Sequence, residues 1–273
     1  MGGPRGRWRS LSYSPWKGVA ALVVVLGFMA NAWGATRTLT IGIVPQMPAW
    51  TLARRWTPIL KAWSHQSGYR ITLRTAPTIA LFEQRVAHGD YDLVYLNPED
   101  YAHNRARYRA FARENDWLQG LLVVRRGGPV HRLADLQGQV LAFPARHALA
   151  ASIEPRRLLQ QRHIQFEARY VGSHDSVYRG VALGLFAGGG GIHQTYALLS
   201  PAMRSQLQVL WVGPKTLPHP FAARRDLPGF IIQRLMAALL HLPAGVRPAL
   251  AKLGFTGFLP ATDTEYRRVR DRP

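Results

Sequence analysis

Hydrophobic and polar positions follow a regular order once the chain reaches residue 38. The stretch 38–44 (TLTIGIV) alternates apolar side chains with smaller ones, which is typical of a β-strand. Apolar residues then recur at helical spacing over 52–63, and Gly68 stands where a helix C-cap is expected. The same order continues with a strand at 69–74, a helix from Thr78 through His88 and a strand at 92–96. This βαβαβ order predicts a parallel twisted sheet covered by helices on both faces.

A second unit of the same kind follows, and it opens with the apolar strand 121–125 (LLVVR). Further strands are predicted at 140–143, 166–171, 209–212 and 221–223, and helices at 148–161, 173–183, 228–241 and 244–254. We therefore expect two α/β lobes joined by two crossing segments near 121–125 and 209–213. Residues 35–122 and 213–273 are expected to form the first lobe, and residues 123–212 the second.

The amino-terminal segment predicts export. The first eighteen residues carry four basic side chains and no acid, and an uncharged apolar run of twelve follows at 19–30. Small residues at Ala32 and Gly34 suit a signal peptidase, so residues 1–34 are predicted to be a signal peptide cleaved before Ala35. A membrane anchor is the alternative, but a spanning helix needs ~20 apolar residues. The sequence thus predicts a periplasmic protein.

The net charge of the chain indicates which class of binding partner to expect. The net charge is +20, and all but four of the 35 basic side chains are arginines. Such a field favours anionic partners. The arginines are scattered, with local clusters only at 105–113 and 267–272, and no basic motif is interleaved with aromatic residues. Nucleic-acid binding is therefore not expected.

Missing motifs exclude most chemistry. Cysteine is absent, which excludes disulfides, zinc–thiolate sites, iron–sulfur clusters and thiol nucleophiles. Residues 35–273 contain no GxSxG, HExxH or SxxK motif, so we expect no enzyme. The ten histidines are dispersed rather than spaced as ligand pairs, so neither a metal site nor a cofactor is expected.

Several loops between strands and helices carry more specific motifs. They are IGIVPQMPAWTLARRW at 41–56, YDLVYLNPEDY at 91–101, LADLQGQVLAF at 133–143, YVGSHDSVYRGVALG at 170–184, HPFAARRDLP at 219–228 and LGFTGFLPATDTEY at 253–266. In these motifs the chain resembles the phosphonate, phosphite and phosphate solute-binding components of ABC importers, which have the type II periplasmic-binding-protein fold. The resemblance implies two lobes, each a mostly parallel sheet flanked by helices, that close by two hinge segments over a small anionic solute.

The resemblance also implies how the protein acts. A monomer would capture its solute in the cleft between the lobes and deliver it to an ABC permease. A periplasmic sensing partner of a membrane receptor or sensor kinase is the alternative, because the same fold can bind a solute and dock on a receptor. Both alternatives are binding functions without turnover.

Five candidate ligand contacts lie in the resembling loops. Tyr95 in YLNP and His174 in GSHD match, by the resemblance, residues with which the family contacts its ligand. A core or cleft-wall tyrosine and a helix-capping histidine are the alternatives. Gln46 and Asn97 supply neutral donors from the first lobe. Ser173 caps the helix that begins at His174, and the N-terminus of a helix presents unpaired N–H groups to an anion.

The chain departs from the family where the phosphoryl group would bind. The resemblance implies a Ser-Thr-Ser cluster in the loop before the first helix of the second lobe, but Ala148, Leu149 and Ala150 stand there. An aspartate of the following segment is replaced by Ala187. Hydrogen bonds that involve charge contribute ~1 to 3 kcal/mol each, so we expect a changed specificity.

Replacement contacts are available nearby. Arg146 and His147 lie in the loop that lost its hydroxyls, and an arginine can clamp an oxyanion with two hydrogen bonds. A surface arginine is the alternative. Gly189, in the four-glycine run 188–191, is a candidate for backbone contacts to an anion, while a flexible hinge or a loop that avoids clashes explains the run equally well.

Overall fold

Two β-sheets organise the chain. The computed structural model describes residues 1–3 and 37–267, and the chain from Thr38 onward forms one compact unit. Apart from its first three residues, the predicted signal peptide lies outside the described residues, as does the tail 268–273.

The described residues alternate strands and helices through most of their length. In chain order, the strands are β1 (Thr38–Ile43), β2 (Arg70–Arg74), β3 (Leu93–Tyr95), β4 (Tyr108–Glu114), β5 (Leu118–Arg125), β6 (Gln139–Phe143), β7 (Phe166–Tyr170), β8 (Gly188–Ile192), β9 (Leu207–Thr216), β10 (Pro220–Arg224) and β11 (Phe258–Pro260). The α-helices are α1 (Ala49–Ser67), α2 (Ile79–His88), α3 (Pro98–Asn104), α4 (Glu154–Gln161), α5 (His174–Ala182), α6 (His193–Ala197), α7 (Pro201–Arg204), α8 (Gly229–Leu240), α9 (Arg247–Ala251) and α10 (Asp263–Arg267). Short 3-10 helices lie at Leu133–Leu136 and Ala244–Val246, and a π-helical turn at Leu149–Ile153 leads directly into α4.

The first sheet has the strand order β11-β4-β10-β3-β1-β2. β1 lies parallel between β2 and β3, and its Ile41 pairs with Leu73 on one side and Leu93 on the other. β10 and β11 join by antiparallel pairing with β3 and β4. The carboxyl ends of the three parallel strands meet at one edge of the sheet, where loops lead into α1, α2 and α3.

The second sheet has the strand order β7-β6-β8-β5-β9. β6 runs parallel to β7 and β8, whereas β5 runs antiparallel to β8 and β9. Helices flank both sheets, so the predicted two-lobed α/β fold is confirmed, with sheets that are mixed around a parallel core.

Two strands, β4 and β11, are not predicted by the sequence pattern. β4 (YRAFARE) carries two arginines and a glutamate, and β11 is three residues long, so neither shows a clear apolar period. Both are added to the first sheet by antiparallel pairing with a strand that is distant in sequence, which no local signal announces.

The chain passes between the sheets at two short segments. It leaves the first sheet at 115–117, between β4 and β5, and returns at 217–219, between β9 and β10. The stretches 121–125 and 209–213, where crossings were expected, lie inside β5 and β9, because these strands extend through polar residues beyond their apolar parts. The bounds of the two lobes stay a prediction.

An aromatic core holds the first sheet against α1. The ring of Trp56 lies 5.2 Å from Tyr95, 6.0 Å from Phe221 and 5.5 Å from Phe255, measured between centroids. Trp63 lies on the same helix, and its indole Nε1 donates to the carbonyl oxygen of Leu235 at 2.8 Å. These contacts fix the helix that follows the Gln46 loop.

Helix α8 supplies the other side of this core. It buries Ile231, Ile232, Leu235, Ala238 and Leu239.

Within the described ranges, no single helix is long and apolar enough to cross a membrane; α8 and the segment Ala244–Ala251 meet that condition only as a pair, bent by 72°.

Candidate functional site

A small cavity lies between the two sheets. Its volume is about 20 Å³, which is room for about one water molecule. On the first-sheet side, loop residues at the carboxyl ends of β1 and β3 line the cavity. On the second-sheet side, the first residues of two helical segments line it. The lining residues are Val44, Gln46, Ile79, Asn97, Leu118, Ala148, Leu149, Ala150, Ala151, His174, Ile192 and His219.

The first-sheet wall presents amide and imidazole groups. Gln46 follows β1, and its Nε2 lies 3.2 Å from Nε2 of His219, which lies in the returning segment 217–219. Asn97 caps α3, and its Oδ1 accepts from the N–H of Glu99 at 3.0 Å. The Nδ2 of Asn97 reaches across the cleft and donates to the carbonyl oxygen of His147 at 2.9 Å.

The second-sheet wall presents small apolar side chains and backbone. Ala148, Leu149 and Ala150, the three positions expected to have lost hydroxyls, all line the cavity. The π-helical turn that starts at Leu149 continues into α4, so this helical segment points its N-terminus at the cavity. The N–H of Leu149 donates to Oδ1 of Asn97 at 3.4 Å. Free N–H groups at such a start carry partial positive charge.

The four-glycine run forms strand β8 and is fully buried. A Cβ added at Gly190 would lie 1.8 Å from the carbonyl oxygen of Ala151, and one added at Gly189 would lie 2.4 Å from Cγ1 of Val177. The glycines therefore let the π-helical turn and α5 pack directly on the sheet backbone. Gly189 itself pairs with Val123 and Ala142 inside the sheet and does not line the cavity.

His174 is the first residue of α5 and faces the cavity. It is buried, and its Nδ1 lies 3.0 Å from Oγ1 of Thr195. Burial lowers the pKa of His174 to about 4, so the ring is neutral at pH 7. Its neighbour Ser173 accepts from the N–H of Ser176 at 3.2 Å as the N-cap, and it does not line the cavity.

Tyr95 lies behind the cavity wall. Its hydroxyl donates to Oε1 of the buried Glu114, which also accepts from Nε2 of Gln194 at 2.8 Å on Oε2. Burial raises the pKa of Glu114 to about 7. The ring of Tyr95 stacks on His219 with centroids 5.2 Å apart. Tyr95 therefore does not line the cavity. It packs against His219, which does.

His219 is the polar lining residue that the sequence analysis did not select. It is the first residue of the HPFAARRDLP motif, and its place in that motif is the sequence signal that could have selected it as a ligand contact. Burial, together with repulsion from His174, lowers the pKa of His219 to about 3. Both lining histidines are therefore neutral at pH 7, and no described lining residue carries a charge there.

Arg146 and His147 lie outside the cavity. The guanidinium carbon of Arg146 sits 5.1 Å from the ring centre of Tyr170, in a surface groove that it shares with Arg156. His147 is 51% exposed, and its Nδ1 lies 3.7 Å from Oε2 of Glu83. Of the predicted contacts, the structure brings Gln46, Asn97 and His174 together at the cavity.

A wider cleft of about 410 Å³ adjoins this cavity, because Gln46 and His174 line both spaces. Arg54, Arg55 and Arg179 line this cleft, together with Trp50, which is 66% exposed. The guanidinium of Arg54 lies 5.0 Å from the ring centre of Trp50. This opening therefore carries positive charge, which attracts anions.

The family described as "ABC transporter, phosphonate, periplasmic substrate-binding protein" matches residues 41–266. The chain belongs to this family. Its members are periplasmic substrate-binding components of ABC phosphonate transporters and not enzymes, so the expected importer role is confirmed at this level.

Solved structures show the same fold at low sequence identity. A binding-protein component of an ABC phosphonate transporter from Pseudomonas aeruginosa superposes with a TM-score of 0.78 at 18% identity, over 86% of this chain and 85% of that one. PhnD1 from Prochlorococcus marinus, solved in complex with methylphosphonate, gives 0.77 at 18% identity, over 87% and 97%. The periplasmic VFT2 domain of BvgS from Bordetella pertussis gives 0.56 at 14% identity, over 85% and 97%. These structures thus share the fold of this chain over most of its length.

Proposed function

We propose that this chain is the substrate-binding component of an importer for a small phosphorus oxyanion, which it holds in the cavity between the sheets. The observation that carries the proposal is the convergence of Gln46, Asn97, His174 and His219 with the start of the helical segment 149–161 on one small cavity. Amide, imidazole and backbone N–H groups can all donate to phosphoryl oxygens. The helix start adds partial positive charge, so the anion needs no lysine.

Uptake of such a ligand requires the sheets to move apart, because about 20 Å³ does not hold a phosphonate. The segments 115–117 and 217–219 join the sheets, and we infer that they are the hinges. The ligand-free chain in solution should therefore be more open than this arrangement, and small-angle scattering should show that saturating methylphosphonate makes the particle more compact. An unchanged scattering profile would contradict the hinge.

We further propose how the chain reaches its working form. The signal peptide 1–34 is removed before Ala35, and the mature chain works as a monomer without affinity for nucleic acid. Mass spectrometry of the periplasmic fraction should find Ala35 at the N-terminus, and light scattering should give the monomer mass. Intact Met1 on membrane-bound material would contradict the processing step.

Gln46→Glu tests the ligand and the site together. The substitution keeps the size of the side chain but places a carboxylate among the donors. Removing or opposing one charged partner in a desolvated site costs ~2 to 5 kcal/mol, so methylphosphonate should bind at least about thirtyfold more weakly. Titration calorimetry with methylphosphonate, phosphite, phosphate and sulfate measures this and ranks the anions.

Gln66→Glu is the matched control. Gln66 lies exposed on α1, where its Nε2 donates to the carbonyl oxygen of His241 at 3.1 Å. The same change of charge there should leave affinity for the anion unchanged. Equal affinity in wild type and Gln46→Glu would show that the ligand binds elsewhere. Failure of the wild type to bind any phosphorus oxyanion would contradict the proposed function itself.

A further inference from the structure

A second group of polar side chains meets between the lobes, outside the cavity. Glu83 lies on α2, Asp100 on α3, and His147 in the loop between β6 and the π-helical turn. One carboxylate oxygen or ring nitrogen from each lies within 4.8 Å of those of the other two. Two acids from the first-sheet side thus face one imidazole from the second-sheet side.

Each of the two carboxyl groups has one oxygen without a hydrogen-bond partner among the described residues. Asp100 is 5% exposed, and neither its Oδ2 nor Oε1 of Glu83 has a hydrogen-bond partner among the described residues. Buried acids without a counter-charge are costly, so this arrangement points to a missing cation.

The neighbouring basic groups do not fill that role. His103 of α3 lies with its ring centre 5.9 Å from that of His147, and its Nδ1 is 2.8 Å from the carbonyl oxygen of Glu99. Arg156 donates from Nη1 to the Tyr170 hydroxyl at 2.8 Å. Arg146 lies over the same ring, so both arginines of this rim are engaged with Tyr170.

We propose that Glu83, Asp100 and His147 bind one divalent transition-metal cation of the Zn²⁺ type. An imidazole with two carboxylates is a donor set that Zn²⁺ accepts, whereas Mg²⁺ and Ca²⁺ prefer oxygen ligands alone. The dispersal of histidines along the sequence argued against a metal site, but the fold supplies the two acids from 64 and 47 residues before His147.

The geometry needs only side-chain adjustment. Donor atoms at ~2.1 Å from a tetrahedral Zn²⁺ lie ~3.4 Å apart, so the donors have to move inward by roughly 1 Å. The side chain of His147 is 51% exposed, which gives the cation a route from solvent and leaves room for a water ligand. One buried acid, one half-buried acid and one accessible imidazole make a site that is preformed on one lobe and completed by the other.

Such a cation would join the lobes. Asn97 already bridges them by its hydrogen bond to the carbonyl oxygen of His147 at 2.9 Å. A metal bound by His147 and the two acids exists only while the lobes are together, so it stabilises the closed arrangement by mass action. The inference goes beyond anion binding, because these three residues do not line the cavity.

Zn²⁺ titration of the mature, tag-free chain tests the site, with chelator removed and no phosphonate present. Wild type should bind one Zn²⁺ and unfold at a higher temperature with it, and Co²⁺ should give visible absorption bands. Glu83→Gln and His147→Ala should each weaken Zn²⁺ binding at least ~10-fold. His131→Ala, which removes an exposed histidine outside the group, should change nothing.

Asp100→Asn separates loss of metal from loss of fold. It replaces a buried carboxyl group whose Oδ2 lacks a hydrogen-bond partner, so without metal the variant should be at least as stable as wild type. The Zn²⁺-dependent rise in unfolding temperature should disappear in it. No rise in wild type, or an equal rise in Asp100→Asn, overturns the proposal. Because no phosphonate takes part, either result leaves the proposed function standing.

Discussion

The two walls of the cavity are built in different ways. On the first-sheet side, Gln46, Asn97 and His219 present side-chain donors that long-range hydrogen bonds hold in place. On the second-sheet side, the residues 148–151 present backbone and small apolar groups, brought close by the glycines of β8. The first wall depends on which side chains project, whereas residues 148–151 of the second wall depend on how closely the backbone can approach, and His174 adds one side-chain donor there.

This difference predicts two kinds of mutational response. A change of side chain on the first-sheet wall should alter ligand binding more than folding, since each group there acts through its own hydrogen bonds. A change in the packing behind the second-sheet wall should alter folding first, because well-packed interiors do not yield to added atoms. Three predictions test this comparison.

Gly190→Ala should produce the largest effect. Its Cβ would lie 1.8 Å from the carbonyl oxygen of Ala151, so the π-helical turn has to leave the sheet. Overpacking against backbone should lower the free energy of unfolding by at least about 3 kcal/mol. Urea unfolding measures this, with Gly229→Ala as the control, because a Cβ there meets nothing within 4 Å. A stable Gly190→Ala variant would show that the close approach is not required.

Acid should destabilise the chain through the two lining histidines. The pKa of His174 is about 4 when folded, against a usual value of 6.5, so the unfolded chain takes up the proton more readily. The stability that this group confers is complete above pH 6.5 and is lost as pH falls toward 4. At pH 5 the loss is about 2 kcal/mol for His174, and His219, with a pKa of about 3, loses a similar amount.

The histidine prediction is measured by urea unfolding at pH 7 and pH 5. His174→Gln should lose about 2 kcal/mol less than wild type between these values, because glutamine does not titrate there. His131→Gln is the control, since His131 is exposed. If the wild type and His174→Gln lose the same amount, the buried ring does not stay neutral.

Ala150→Ser should produce the smallest effect. It returns one hydroxyl to the wall where the resemblance implies a cluster of three, and Ala150 lines the cavity. One added hydrogen bond to an anion contributes about 1 kcal/mol, so methylphosphonate should bind about fivefold more tightly. Calorimetry measures the change, and Ala237→Ser, exposed on α8, should show none. Weaker binding in Ala150→Ser would mean that the wall has no room for the hydroxyl.

Local signals predicted most of the fold. Period-two and helical spacing found β1, β2, β3, α1 and α2, and the C-cap predicted at Gly68 is present. The run 188–191 is different: consecutive glycines carry no strand pattern, and β8 forms because neighbouring strands pair with it on both sides. Its conformation is decided by contacts that are distant in sequence.

The residues of the candidate site also fall into two groups: those that local motifs predicted, and those whose role long-range packing decides. Gln46, Asn97 and His174 follow or start predicted elements at the sheet edges, and the motifs placed them near a ligand. Tyr95 carries an equally specific motif, yet its hydroxyl reaches Glu114, a residue of the unpredicted strand β4. Whether a side chain at such an edge meets a ligand or a buried acid depends on which strand packs behind it.

The sequence by itself determined the α/β class, the repeated strand–helix order and the family, because these depend on periodicity and on short motifs. Only the tertiary structure decided that His219 takes a place in the cavity, that four glycines form a strand, and that Glu83, Asp100 and His147 meet. Each of these facts depends on long-range packing. Burial then fixes their chemistry, since the same imidazole or carboxyl titrates differently once water is removed from it.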